Sequence, residues 1–356
     1  MDTAERLRGC LLAGACGDAL GASIEFMSRD EIRALYGPLG PDRYVSSSRP
    51  AGQWTDDTQM TLFTAEGMIR ARTRARLHGI CHPPRVVRHA YLRWLHTQGV
   101  PVREEITLGS KPWPDGWLVK QRFLHERRGP GNTCLTALAS GQFGTPERRL
   151  NDSKGCGAVM RTAPVALHDL VGQDAFRSGC EFGALTHGHP TGYLAAGVLA
   201  ATVAGLLVGQ ELSAALDAAT ARLCKSPQHE ETLAALRQAR TAAAAGTPSA
   251  ERVASLGAGW IAEEALAIGV YCALVAPDVL TGLRLAVNHG GDSDSTGALA
   301  GNLLGAMHGP RAIPDVLLED LEGREVIERV AADLVAHVLE QRPGIEEEDL
   351  ERYPGW

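Results

Sequence analysis

Residues 193–208, YLAAGVLAATVAGLLV, decide the fold. These sixteen residues carry no charge, and Thr202 falls in their middle. A helix that crosses a bilayer needs about 20 such residues, so the stretch reads as a helix buried in protein and implies no membrane. Residues 212–224, LSAALDAATARLC, give the amphipathic counterpart. Leu212, Ala215, Leu216, Ala219 and Leu223 recur at helical spacing and mark a single packed face.

Working outward, the same periodicity predicts helices at roughly 3–20, 57–75, 85–98, 132–140, 174–185, 190–208, 228–244, 260–275, 277–287, 295–307 and 324–341. Alternating strand patterns are scarce. Aromatic residues make up only 5% of the chain, so Ala, Leu, Val and Gly must do the packing, which suits closely apposed helices. The expected fold is all-α: a compact bundle of many helices joined by Gly/Pro loops. Residues 99–131 break the rhythm with Pro, Gly and two tryptophans, Trp113 and Trp117, and read as a long loop or excursion whose tryptophans are either a lid or a surface plug, the plug being preferred. A polar stretch, 242–255, reads as a surface linker. No repeat or clean boundary divides the 356 residues, so a single domain is expected.

A net charge of −7 argues against a non-specific nucleic-acid footprint, which requires excess Lys and Arg. The eight cysteines form no CxxC pair and fit buried thiols in a reducing cytoplasm. The short apolar run in residues 6–16, RLRGCLLAGAC, reads as a helix face and not a signal peptide. A monomer is the default.

The chemistry lies in two acidic runs. Residues 54–60 read WTDDTQM and residues 289–301 read HGGDSDSTGALAG. Each could be local capping: Asp56 with Gln59 fits a capping box, and Asp294 or Ser295 could cap a helix beginning near Thr296. A second acid in one helical turn adds mostly repulsion, since a helix N-terminus gains only about 0.3–1 kcal/mol from negative charge. Divalent cations relieve that crowding. An oxygen-only donor set of four carboxylates with the Thr55 and Ser295 hydroxyls suits Mg²⁺, Mn²⁺ or Ca²⁺ and not zinc. The second run is not an EF-hand, because its twelfth position is Leu303 where a bidentate Glu is required. There is no GxxxxGK[ST] loop and no GxSxG elbow.

Taken together, the motifs resemble the ADP-ribosylglycohydrolase family, which includes the dinitrogenase-reductase-activating glycohydrolases and the ADP-ribosylarginine and ADP-ribosylserine hydrolases. The resemblance runs nearly end to end, through GCLLAGACGDALGASIEF, WTDDTQMTL, PGNTCLTAL, SKGCGAVMRTAPVAL, THGHPTGYLAAG and NHGGDSDSTGALAGNLLGAMHG. It implies an orthogonal helical bundle with two divalent ions at its centre, Mg²⁺ first among them. By the resemblance, Thr55, Asp56 and Asp57 match one ligand group and Asp292, Asp294 and Ser295 the other, with Ser standing where the family often has Thr. Glu25 matches the mobile glutamate beside the scissile bond, so Glu25, Asp56 and Asp294 are the residues on which catalysis depends.

The implied reaction is hydrolysis of the glycosidic bond between ADP-ribose and a modified protein side chain, arginine favoured, or a small molecule. Its alternatives are a non-catalytic, crystallin-like ADP-ribose binder and a hydrolase of another nucleotide glycoside. Ser153, Lys154, Gly155, Cys156 and Gly157 resemble the family's phosphate- and ribose-contacting loop, whose backbone N–H groups can receive a pyrophosphate; many members have Asn where Cys156 stands. His187 and Asn132 resemble positions beside the substrate, Asn132 also reading as a helix cap. Met160 falls in the same loop and, like Trp54, reads as a packing residue.

Overall fold

The computed structural model describes residues 1–46, 50–102, 113–340 and 347–355. Its helices are α1 Thr3–Ala22, α2 Arg29–Tyr36, α3 Asp56–His78, α4 Pro83–Thr97, α5 Asn132–Ala139, α6 Leu167–Leu170, α7 Ala175–Ala184, α8 Pro190–Leu207 and α9 Leu212–Leu223. They continue as α10 Glu230–Ala244, α11 Ala250–Ala254, α12 Ala262–Val275, α13 Val279–Val287, α14 Ser293–His308, α15 Asp315–Glu319, α16 Arg324–Leu334 and α17 Glu347–Arg352. Among the described residues there is no strand, and extended backbone pairs at an isolated antiparallel bridge between Gly155 and Ile261.

Helix α8 is the apolar stretch with which the sequence reading began. Pro190 sits in its first turn, where a missing N–H costs nothing, and the His189 ring accepts the Thr191 N–H at 3.2 Å. It is long and apolar enough to cross a bilayer, but 94% of it is buried by the protein itself. Helices α7, α9, α12 and α14 surround it. Each fully buried Leu or Val there contributes about 1.5–3 kcal/mol relative to exposure.

The closest packing joins α1 to α14. Small residues stand every fourth place on both: Gly9, Ala13, Gly17 and Gly21 face Gly305, Gly301, Gly297 and Ser293. A Cβ on Gly17 would lie 2.0 Å from the Gly297 carbonyl oxygen, and one on Gly301 would lie 2.0 Å from that of Ala13. The two backbones touch, and no side chain fits between them. This contact sets Asp18 of α1 against the first turn of α14.

Part of the expected excursion is a docked segment, with short 3₁₀ turns at Leu118–Lys120 and Arg122–His125. Asp115 forms ion pairs with the buried Arg70 at 3.1 Å and the buried Arg93 at 2.8 Å, and Arg70 also pairs with Glu66 at 3.0 Å. Trp113 and Trp117 are half-buried against the core, with the Arg93 guanidinium 5.4 Å from the Trp113 ring centre. They are packed as a plug. Residues 103–112 of that stretch lie outside the described residues. The expected linker at 242–255 is more ordered than its polarity implies: it contains the end of α10 and, after the Ser249 cap, α11 with Val253 in the core.

Candidate functional site

Both acidic runs open a helix, but the caps differ from the sequence expectation. Thr55, not Asp56, caps α3: its hydroxyl accepts the Asp57 N–H at 3.4 Å. Gln59 takes no part in a capping box, because its amide donates to the Glu126 carbonyl and accepts from Trp94 and Gln98. Asp292, not Asp294 or Ser295, caps α14, taking the Ser295 N–H on its Oδ1 at 3.2 Å, and the helix begins at Ser293. Asp294 Oδ1 shares that N–H at 3.0 Å.

A fifth carboxylate, which the sequence reading passed over, joins them. Asp18 of α1 is fully buried and accepts three bonds from the first turn of α3: Thr55 N–H at 2.8 Å, Thr58 N–H at 3.0 Å and Thr58 Oγ1 at 2.5 Å. It holds that turn in place. Asp18, Asp56, Asp57, Asp292 and Asp294 are all buried, and they act on one another. Burial, then the charge of Asp294, pushes Asp18 up to about 7. The same causes, in the same order, raise Asp56, Asp57 and Asp292 well above the carboxylate range. No Arg or Lys is among the groups acting most strongly on any of these four. Glu25, half-buried just beyond α1, is close enough to raise Asp56 further.

The donor set fits a hard cation. Asp57 Oδ1 is buried with no hydrogen-bond partner, and a carboxylate oxygen in that condition costs about 1–3 kcal/mol or more. Oxygen is the donor on every residue of the cluster, as Mg²⁺, Mn²⁺ and Ca²⁺ require. Among the described residues no three His, Cys, Asp or Glu side chains form a ready-made ion cage, so closing on a cation requires these carboxylates to rotate.

The 153–157 loop sits directly on the cluster. Cys156 Sγ donates to Asp292 Oδ2 at 2.8 Å and accepts from Ser295 Oγ at 3.6 Å. Burial, then the Asp292 and Asp57 charges, keeps the thiol protonated. Lys154 is not turned toward a phosphate: its ammonium bridges Glu263 at 2.7 Å and Glu231 at 2.9 Å. Three of the loop's N–H groups are already engaged, those of Ser153 by Asn151, Gly155 by Ser153 Oγ and Cys156 by the Trp260 carbonyl. The Ser153 hydroxyl meets Thr133 Oγ1 at 3.0 Å. Gly157 is tightly packed, since a Cβ there would stand 3.0 Å from both Cys134 Sγ and the His187 ring, and one or both would have to give by a few tenths of an ångström.

His187 is buried, shares a hydrogen bond with Thr186 Oγ1 at 2.8 Å, and is held neutral by burial and then Arg161, which lower it to about 3. Arg161 anchors the loop from beneath, donating to Gly157 O, Phe182 O and Thr186 Oγ1 with its guanidinium 4.4 Å from the Tyr91 ring centre. Met160 and Trp54 are core residues. Asn132 is exposed and is the first residue of α5; Gly131 occupies the cap position. At the rim, the exposed Phe26, next to Glu25, stacks on Trp260 with ring centres 6.0 Å apart and planes 21° from parallel. The carbonyl of that Trp260 holds Cys156. The pair ties the Glu25 segment to the loop across the cluster. An open groove of about 870 Å³ against α7, α8 and α9 contains none of the carboxylates.

A model of the family described as ADP-ribosylglycohydrolase matches residues 1–344. The chain belongs to the ADP-ribosylglycohydrolase family. It is 28% identical over 327 residues to the ADP-ribosyl-[dinitrogen reductase] glycohydrolase of Rhodospirillum rubrum, covering 89% of this chain and 90% of that one. It is 25% identical to an ADP-ribosylarginine hydrolase of Pseudomonas putida, over 98% of this chain and 82% of the relative. An uncharacterized protein of Archaeoglobus fulgidus is 27% identical over 93% of this chain and 96% of its own. Among solved structures, an ADP-ribosylglycohydrolase-related protein complex superposes with a TM-score of 0.65 and 26% identity, covering 94% of this chain and 98% of that one. For this member of the ADP-ribosylglycohydrolase family, all-helical architecture and family agree.

Proposed function

We propose that this ADP-ribosylglycohydrolase family member is a divalent-metal-dependent hydrolase that releases ADP-ribose from a modified acceptor, with an arginine side chain as the favoured acceptor and Mg²⁺ as the favoured ion. The observation that carries the reading is the set of five buried carboxylates on α1, α3 and α14, one with an orphaned oxygen and none, among the described residues, paired with a basic side chain. Thr55, Asp56, Asp57, Asp292, Asp294 and Ser295 would hold the ions. Such cations would supply Lewis acidity there, which makes water more acidic.

The chain's own residues supply the rest. Glycosidic cleavage passes through an oxocarbenium-like ribose, which the anionic cluster favours. Glu25 takes the proton of the attacking water or delivers one to the leaving nitrogen as the C–N bond breaks. Asp18 fixes the turn that presents Asp56 and Asp57, and Cys156 orients Asp292. The name of one relative, an ADP-ribosylarginine hydrolase, supports the arginine preference, and that of another, an ADP-ribosyl-[dinitrogen reductase] glycohydrolase, supports a modified protein as substrate.

The test is release of free ADP-ribose from ADP-ribosyl-arginine, ADP-ribosyl-serine and O-acetyl-ADP-ribose, each with Mg²⁺, Mn²⁺ or Ca²⁺. Asp56→Ala and Asp294→Ala should abolish release while leaving the chain folded. Full activity of both variants in excess chelator would refute the proposal.

A further inference from the structure

A cavity of about 390 Å³ lies on the outer side of the Glu25-bearing segment, between α2, the turn after it, α11 and α13. Its walls carry three arginines, Arg29 and Arg33 from α2 and Arg284 from α13, against one acid, Glu251. In a chain of net charge −7 this is a local reversal of sign. Glu251 cancels only part of it: its largely exposed carboxylate meets Arg29 at 3.5 Å and interacts with the charge of Arg33, while the exposed Asp42 interacts with that of Arg284.

Arg33 makes no salt bridge or hydrogen bond with any described residue. Arg284 spends one nitrogen on the Gly40 carbonyl at 2.9 Å, and its Nε is buried without a partner. We infer that this cavity is an anion site that takes a phosphorylated small molecule of mononucleotide size or less. Guanidinium forks from two helices match the several acceptor oxygens of a phosphate or diphosphate group. The volume lies in the range of small-molecule pockets, and Leu39, Pro248 and Leu285 offer an apolar bed for an attached organic body.

The site has a mechanical consequence. Of the eight residues of α2, only Ile32 is buried. Beyond it, the hairpin leans on α13 through the Asn288 amide on Pro38 O and Arg284 on Gly40 O. An anion clasped by Arg29, Arg33 and Arg284 cross-links α2 to α13 and steadies the segment leading back to Glu25. The binding claim stands apart from the hydrolase reading, so it survives if that reading fails.

The experiment is calorimetric titration of the full chain with inorganic pyrophosphate and, separately, with AMP. Wild type, Arg33→Ala, Arg284→Met and Lys154→Ala are compared, together with the rate of tryptic cleavage at Arg29 and Arg33 in wild type. Saturable binding is expected, weakened about tenfold or more by Arg33→Ala and by Arg284→Met, as loss of a charge-assisted hydrogen bond implies. Lys154→Ala, in the loop over the carboxylates, should leave it unchanged, and cleavage in the α2 segment should slow with ligand. Tighter binding of AMP identifies a nucleotide body, and equal binding identifies the phosphate group alone. Arg33 is exposed, so its variant keeps the test valid if Arg284→Met fails to fold. Absence of saturable binding, or binding indifferent to both arginine variants, overturns the inference.

Discussion

Gly17→Ala sets two effects of opposite sign against each other. In an exposed helix interior, replacing Gly by Ala stabilises by about 1 kcal/mol through propensity alone. Here the new Cβ would stand 2.0 Å from Gly297 O and 2.4 Å from Gly297 C, where ordinary contact begins at 3.4 Å. Both are backbone atoms of a packed helix and cannot swing aside. Helices α1 and α14 must separate locally by about 1.4 Å, the difference between 3.4 and 2.0 Å. Overpacking of this kind costs about 1–3 kcal/mol, and contact with two rigid backbone atoms belongs at the upper end. Less the propensity gain, the net loss is about 2 kcal/mol. Asp18 is the next residue on α1 and Ser295 lies two before Gly297, so the wedge opens at the carboxylates. A displacement near 1 Å costs on the order of 100-fold in rate. The assays are urea denaturation, read as a lowered midpoint at unchanged slope, and ADP-ribose release. Gly131→Ala is the control, since nothing lies within 4 Å of its Cβ. A Gly17→Ala midpoint at or above that of wild type would refute the backbone-contact argument.

Adding Mg²⁺, Mn²⁺ or Ca²⁺ to chelator-treated protein should raise its thermal midpoint, by the equivalent of about 2.7 kcal/mol at a hundred times the dissociation constant. A midpoint indifferent to all three ions counts against a resident cation. Asp18→Asn should weaken metal affinity about 10–100-fold, as loss of a supporting partner does, because its amide nitrogen cannot accept whichever of the Thr55 and Thr58 N–H groups it faces. Calorimetric titration with Mn²⁺ reads the affinity, and an unchanged value removes Asp18 from the site. Buried His168, bonded through Nδ1 to Ser178 Oγ at 2.8 Å, is lowered to about 4 by desolvation. A depressed folded value means that its neutral ring contributes stability above the ordinary 6.5, and that this contribution is lost as pH falls from there toward 4. His168→Gln should flatten the fall of the urea midpoint between pH 7 and 4, and an equal fall in the two proteins would disprove the assignment.

Features written in local periodicity were legible. Helix α8 follows from its uninterrupted apolar run, and the two acidic runs announced themselves because paired acids in one turn have no structural use. Features that depend on distant partners were not. Asp18 sits in an apolar helical pattern, and the N–H groups that give it meaning lie 37 and 40 residues away. Lys154 looked like a phosphate ligand because its two glutamates stand 77 and 109 residues on. Helix α2 was missed because Ile32 alone is buried and sets no period. The every-fourth small residues of α1 and α14 were visible as a pattern, but only the pairing of the two shows that it is a contact.

That contact also explains how a cation would relieve the site. Two like charges about 5 Å apart at an effective dielectric near 20 repel by about 3 kcal/mol, whereas a helix N-terminus returns only about 0.3–1 kcal/mol to a nearby anion. Helices α3 and α14 each offer one such end, and the Thr58 hydroxyl and backbone N–H groups satisfy Asp18. These donors offset part of the repulsion and leave Asp57 Oδ1 bare. Placing glycine where α1 crosses α14 makes the crowding worse, by driving Asp18 toward Asp294. A fold selected for stability alone would relax that contact with Ala and replace Asp18 with an uncharged partner for Thr55 and Thr58. On the proposed reading, positive charge from outside the chain would complete the cluster, and the glycine stripe and the carboxylates would then be parts of one device.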